Sequence, residues 1–271
     1  MRPVTVHHVS AAVEGWPRQA DGLRIAHLTD LHLRSWNKVV GDAQRLMVGL
    51  EYDLVALTGD LGCSPDDWLR TADLLRRFLA PIYAPYGTFA VLGNHDAPIL
   101  GDHPGLDVTF LRDECVTVRH NGVLVPVVGI EQTEDHHGDP RSVLSGVIGR
   151  TPAIMLAHYP STVNELPHGR VGLVLAGHTH GGQIRLPLVG CVWTHDRIST
   201  RYAQGLHAVD GTQLHVSAGL GLSGPIPLRV LCPPEITILT VRSAPASTLR
   251  MHDQGGVAPD AEPQRKSAVA V

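Results

Sequence analysis

Five short apolar runs in this chain each end at a residue able to bind a metal ion, and that recurrence limits the fold more than any other feature. The clearest is Val171–Ala176, which breaks at Gly177 into His178-Thr179-His180 and then Gly181-Gly182. The run reads as a buried strand, and the flanking glycines let the backbone turn tightly beside whatever the imidazoles hold. Side chains at i and i+2 of an extended segment leave the same side of the backbone. The other ends are Asp30-Leu31-His32 after Leu23–Leu28, Gly59-Asp60 after Asp53–Thr58, Gly93-Asn94-His95-Asp96 after Thr88–Leu92, and His158 after Ala153–Ala157. Taken singly, each has a plain reading. His178 and His180 could sit on a surface turn, Asp30 could cap a helix with His32 exposed, and Asp96 could be a turn residue. Taken together, they point to a parallel sheet. Such a sheet sets successive strand C-termini along one edge, where α/β proteins keep their chemistry.

At 271 residues the chain can hold one large α/β domain or two small ones, and 43% hydrophobic content suffices for a core. Its 22 basic and 26 acidic residues leave a net charge of -4, which argues against a nucleic-acid binder. Histidine occurs 17 times, too often for every copy to be a ligand. Cys63, Cys115, Cys191 and Cys232 are far apart and form no CxxC pair, which excludes a zinc ribbon or thioredoxin-like site. With no secretory signal, they read as thiols, mostly buried. No apolar run approaches membrane-spanning length; Val123–Ile130, among the longest, contains Pro126. The N-terminus carries neither a twin-arginine pair nor a hydrophobic core region, so the expected compartment is the cytoplasm.

The remaining elements follow from local pattern. Val4–Val9 is β-rich and reads as an edge strand. Asn37–Leu50 has helical apolar spacing at Val39, Val40, Ala43, Leu46, Met47 and Leu50. Ser64-Pro65-Asp66-Asp67 is a helix start, with Trp68, Ala72, Leu75 and Leu79 as one face. Asn121-Gly122 marks a hairpin between Val116–Arg119 and Val123–Val128. Glu131–Pro140, with His136 and His137, reads as a polar loop near the site mouth whose histidines are solvated. Gln213–Ser217 follows a turn at Asp210-Gly211, and Glu235–Val241 is the last strand. From Ser243 to Val271 apolar periodicity vanishes, which gives a domain over 1–242 and a disordered tail over 243–271.

The ligand set has a chemistry of its own. Carboxylate, amide and imidazole without thiolate suit borderline divalent metals such as Mn, Fe, Zn, Co or Ni. There are too many ligands for one ion and about enough for two. Two divalent ions carry four positive charges, of which Asp30 and Asp60 cancel two. The excess can bind an anionic substrate and stabilise a hydroxide, and metals about 3.5–4 Å apart are a recurring solution for phosphoryl hydrolysis.

In order along the chain, these motifs resemble those of the calcineurin-like metallophosphoesterases. Within that superfamily, Leu23–His32, Gly177–Pro187 and Gly219–Ile238 are similar to the bacterial phosphodiesterase branch of the YaeI/YkuE type. The resemblance covers residues 3 to 242. It implies a four-layer α/β/β/α sandwich with two central mixed sheets. It also implies that one ion takes Asp30, His32, Asp60 and His180, the other Asp60, Asn94, His158 and His178, with Asp60 bridging. His95 would face the phosphate and protonate the leaving group, and Asp96 would orient His95. The superfamily often has a second Asp three residues after the bridging one; Cys63 stands there, which puts the bracing of that loop in doubt. The implied reaction is hydrolysis of a phosphodiester by in-line attack of a metal-bridging hydroxide. The branch has links to lipid-related substrates, which would bring peripheral contact with the inner membrane face. Two rival readings are a pyrophosphatase acting on a UDP-linked acyl sugar, favoured by any long apolar groove near Glu131–Arg150, and a non-catalytic scaffold. A scaffold of this kind typically loses ligands, and none is missing here.

Overall fold

The computed structural model describes residues 3–194, 196–224 and 228–244. In chain order the elements are β1 (Thr5–Glu14), β2 (Arg24–Leu28), α1 (Lys38–Val48), β3 (Leu54–Thr58), α2 (Trp68–Leu79), β4 (Thr88–Val91), β5 (Thr109–Phe110), β6 (Glu114–His120), β7 (Val123–Gly129) and α3 (Pro140–Ser145). They continue with β8 (Ala153–Leu156), β9 (Val171–Ala176), β10 (Arg185–Leu186), β11 (Gly190–Cys191), β12 (Gly205–Val209), β13 (Thr212–Val216) and β14 (Glu235–Ala244), with short 3-10 turns between them.

The five ligand-bearing strand ends come from two sheets, not from one parallel sheet. The first runs β1-β14-β2-β3-β4-β5 and the second β12-β13-β9-β8-β7-β6. Both are mixed. In the first only the β14–β2 pair is antiparallel. In the second the two edge pairs are antiparallel and the interior is parallel. Side-chain alternation builds the layers. Ile25, Leu54 and Ala56 of the first sheet meet Ile154, Leu156, Leu173 and Leu175 of the second in one core. Their neighbours Ala26, Leu28, Val55 and Leu57 face outward onto α1 and α2. Met155, Val174 and Val216 face outward under α3 and its flanking turns. The four-layer α/β/β/α order follows, and strands buried on both faces explain why β3, β8 and β9 read as continuous apolar runs.

Local signals hold at most boundaries. The Asn37 side chain accepts from the Val39 and Val40 N–H groups and starts α1. Ser64 Oγ accepts from Asp66 N–H, but Pro65–Asp67 form a 3-10 turn that leads into α2. Several features differ from expectation. β1 continues to Glu14, parallel to β14. β14 itself continues to Ala244, so Ser243 and Ala244, placed in the tail by their composition, are paired strand residues; residues 245–271 lie outside the described residues. β12 and α3 give no clear periodicity and are seen only in the structure. All four cysteines are free, but only Cys191 and Cys232 are buried; Cys115 is exposed and Cys63 half-buried. Among the described residues, no helix is long and apolar enough to cross a membrane.

Candidate metal centre

The site is built by a change of backbone where strands stop. Beyond β2 and β3 the ladder continues: Asp30 N–H donates to Gly59 O at 3.0 Å, His32 N–H to Asp60 O at 3.0 Å, and Leu33 N–H to Leu61 O at 2.9 Å. Within that ladder Asp30, His32 and Asp60 take φ of 49°, 42° and 51°, and beyond β9 His178 and His180 take 66° and 50°. Five of the seven expected metal ligands are thus left-handed, at roughly 1–2 kcal/mol each relative to the right-handed form. The turns aim the side chains inward. Glycines give them room: a Cβ on Gly93 would run into Asp60 Oδ1, and one on Gly177 into Thr29 Oγ1 and Asp30 Oδ2.

Two groups of ligand atoms result. Asp30, His32, Asp60 and His180 bring four atoms within 4.8 Å of one another, and Asp60, His158 and His178 do the same with three. Asp60 belongs to both, with Oδ2 3.6 Å from His32 Nε2 and Oδ1 3.4 Å from His158 Nε2. Asn94 Oδ1 lies 3.0 Å from His158 Nε2, which places it beside the second group. His178 Nδ1 is 3.2 Å from the same nitrogen. His95 belongs to neither group; its ring centre is 5.3 Å from that of His32, edge-on.

The electrostatics suit a cation. Burial pushes His32 down to about 4, against the pull of Asp60. It also drives His180 far below the usual histidine range, so both rings are neutral with lone pairs to offer. At His158 burial again opposes charge, but Asp60, Asp30 and the Thr58 carbonyl outweigh it and hold the imidazole up at about 10. Asp30 is pushed up to about 7, mainly by burial; the charge of His158 opposes this and that of Asp60 adds to it. Burial opposes ionisation of Asp60 too, yet His158 and His32 hold it well below the usual carboxylate range. One observation tests directly for a metal: Asp30 Oδ1 is buried, accepts no hydrogen bond, and lies 3.2 Å from His180 Nε2. An orphaned buried carboxylate oxygen beside the neutral imidazoles of His32 and His180 fits a divalent ion, and the residues present therefore suit the group.

An outer ring holds these ligands. Thr29 Oγ1 and His178 N–H donate to Asp30 Oδ2 at 2.8 and 3.0 Å. Gln132 Oε1 accepts from the His158 and Tyr159 N–H groups, both at 2.8 Å. Arg229, half-buried, donates to Ala218 O at 2.7 Å and reaches within 3.5 Å of His180 Nδ1. Asp96 is buried and accepts from Leu61, Gly62 and Gly93 N–H. It clamps the Asp60 loop to the Asn94 loop, and none of its hydrogen bonds runs to His95, which corrects the expected contact. The Cys63 thiol donates to His32 O at 3.1 Å and so braces the loop that lacks a second Asp. His136 bonds Asp113 at 2.6 Å, and His137 stacks on Tyr159; neither joins a ligand group. Gln132 and Tyr159 had no sequence signal. Arg229 lay inside the resembling stretch Gly219–Ile238 without an assigned role.

The fold and this site belong to a known class. The chain is a member of the calcineurin-like phosphoesterase family, whose model matches residues 23–182. It is 28% identical over 243 residues to the uncharacterized metallophosphoesterase YkuE of Bacillus subtilis, covering 84% of this chain and 82% of that protein. Phosphodiesterase YaeI of Escherichia coli is 30% identical over 224 residues, covering 80% of this chain and 81% of its own length. An uncharacterized metallophosphoesterase of Aquifex aeolicus is 30% identical over 240 residues, covering 81% and 85%.

Proposed function

We propose that this chain is a phosphodiesterase that works with two divalent ions drawn from Mn, Fe, Zn or Co. Asp30, His32, Asp60 and His180 hold one, and Asp60, Asn94, His158 and His178 hold the other. The observation that carries this is the sharing of Asp60 between the two ligand groups. No His or Asn could serve both sides with a charged oxygen each. When bound, such ions supply Lewis acidity and activate water. Two buried carboxylates leave part of the cationic charge uncancelled, which suits a phosphodiester anion. The filled ligand set and the strained backbone beneath it speak for an enzyme and against a scaffold. Glu131–Arg150, where the pyrophosphatase reading would look for an apolar groove, includes α3, packed by Leu144 into the outer core of the second sheet.

His95 is assigned to the substrate. Its backbone N–H donates to Asp60 Oδ1 at 2.9 Å, which fixes the residue to the site, while its ring stays half-buried at the edge of the ligand groups. From there its imidazole meets a phosphoryl oxygen and gives a proton to the leaving oxygen. Asp96 acts one step back, holding the Asp60 and Asn94 loops in register. His95→Ala is expected to keep its metals and lose turnover of a bis-aryl phosphate by about 10²–10⁴-fold. Elemental analysis showing metal lost with the ring would make His95 a ligand instead. Faster turnover of the aryl monoester than of the diester would overturn the diester assignment.

A further inference from the structure

The surface beside the metal centre is unlike the rest of the exterior. β10 and β11 pair antiparallel, and Leu188 sits at the tip of their turn with φ of 66°. Leu188 is fully exposed, and Leu186, Val189, Val192 and Trp193 are exposed beside it. A second segment lies against this hairpin: Arg185 N–H donates to Val230 O and Val230 N–H to Gln183 O, each at 3.0 Å. That segment exposes Leu228 and Leu231. Of the 13 large apolar side chains exposed among the described residues, 7 fall in these two short stretches. Single exposed hydrophobes are ordinary, but a cluster of this kind marks an interaction site.

Charge distinguishes the same region. The chain as a whole is acidic, at -4, yet neither 184–195 nor 211–234 contains an Asp or Glu. Arg185 and Arg229 lie in these stretches, and the exposed Arg197 and Arg201 follow the hairpin. The patch is also continuous with the metal centre. A groove of about 530 Å³ begins at His32, passes Leu31, Val39, Val40 and Leu220, and reaches Leu228 and Arg229.

We propose that the β10–β11 hairpin and Leu228–Leu231 form a docking site for an anionic phospholipid surface. The apolar tip at Leu188 and Val189 enters the acyl boundary. Trp193 has the amphipathic ring favoured at the headgroup level, and the exposed Arg197 and Arg201 meet lipid phosphates, whereas Arg185 and Arg229 are bonded internally to Gly181, Ala218 and Gly221 carbonyls. A second copy of the chain would need about 800 Å² of self-complementary face per partner. A projecting hairpin of two-residue strands offers a narrow tip, not such a face. The groove, lined by Arg34, Ser35 and Asn37 as well as by apolar side chains, then leads from Leu228 to His32. The docking surface stands independently of the phosphodiester assignment.

The test is sedimentation of the full chain with phosphatidylcholine vesicles, with and without phosphatidylglycerol. The chain is expected to pellet with the anionic vesicles and to be released as salt rises. The double variant Leu188→Asp/Val189→Asp should lower partitioning by about tenfold or more. Arg197→Gln and Arg201→Gln should each lower it by about fivefold. Ile148→Asp, equally exposed on another surface, should bind as the parent does. Melting temperatures report folding; if the double variant melts early, the two arginine variants decide. The proposal is overturned if the chain stays in the supernatant with both vesicle types, or if the variants pellet like the parent. A dimer in solution that Leu188→Asp dissociates would assign the face to a second copy and overturn it equally.

Discussion

Strand β2 and the turn beyond it present two histidines that each meet a histidine from the opposite sheet or its strand end, and the two pairs have opposite characters. His27 lies inside the strand; its Nδ1 is 2.9 Å from His215 Nδ1 on β13, and its Nε2 is 2.8 Å from Thr58 Oγ1. Both rings are buried between the sheets, and their hydrogen bonds close on one another and on a hydroxyl. His32 lies beyond the strand in left-handed backbone; its Nε2 is 3.2 Å from His180 Nε2, with the rings stacked. Here the neighbours are carboxylates, and one of their oxygens is left without a hydrogen bond. Two buried imidazoles therefore do not by themselves make a metal site. What separates the pairs is unspent acceptor capacity beside them and a backbone held in a costly conformation.

The comparison breaks hardest at Asp60. Asp60→Asn keeps size and tolerates the φ of 51°, but removes the charge between the two ligand groups. In a site of low effective dielectric the added repulsion between two cations is several kcal/mol by order of magnitude. Metal content at both positions is expected to fall and hydrolysis to drop to background, while circular dichroism stays unchanged. Two metals retained with normal turnover would remove Asp60 from its bridging place.

A pair of alanines sharpens the contrast. His180→Ala should empty mainly one metal position and lower turnover by about 10²-fold or more, above the effect of an outer-shell partner. His215→Ala should leave metal content alone and lower stability by about 2–4 kcal/mol, because it opens a cavity and strands the His27 ring. Metal analysis and urea unfolding on both variants would show the crossing. Equal metal loss in the two would erase the distinction drawn here.

The smallest expected effect is a slope with pH. Burial drives His27 far below its usual range and His215 down to about 3, with His207 and His7 adding to the latter. Between about 3 and 6.5 the unfolded chain binds protons at these positions that the folded chain refuses. Stability is therefore lost as pH falls below 6.5. Each ring adds up to about 1.4 kcal/mol per pH unit. His215→Leu should flatten urea-derived stability between pH 7 and pH 5 by up to one such slope. An unchanged slope would mean that His215 takes up its proton in the fold.

Most of the ligand-bearing ends were legible because each joined a simple signal, an apolar run, to a chemically restricted residue. The apolar pattern alone could not show that those runs divide between two sheets, which only the family resemblance implied, since β3 and β8 look alike when both are buried on two faces. Nor could it separate His27 from His32, five positions apart on one stretch; only the backbone turn at Asp30 does that. Asp96 was singled out, but its hydrogen bonds to Leu61 and Gly62 join segments 34 and 35 residues away, which no local pattern encodes. Gln132 is the same case, bonded across to His158 from a stretch that read only as a polar loop near the site mouth.

The left-handed turns under the ligands have a consequence for how such a chain can drift over evolutionary time. Left-handed backbone favours Gly, Asn, Asp and His among all residues. Coordination of a divalent ion by nitrogen and oxygen favours Asp, Asn and His. At positions 30, 32, 60, 178 and 180 the two demands overlap, so the same few residue types satisfy both geometry and chemistry. A descendant that lost its reaction would keep only the first demand, which glycine meets as well, and Gln183, Leu188 and Leu231 take the same conformation here with no such role. The full ligand set is therefore held by the chemistry more than by the turns, and its clearest mark is Asp30, with an oxygen unclaimed by any hydrogen bond.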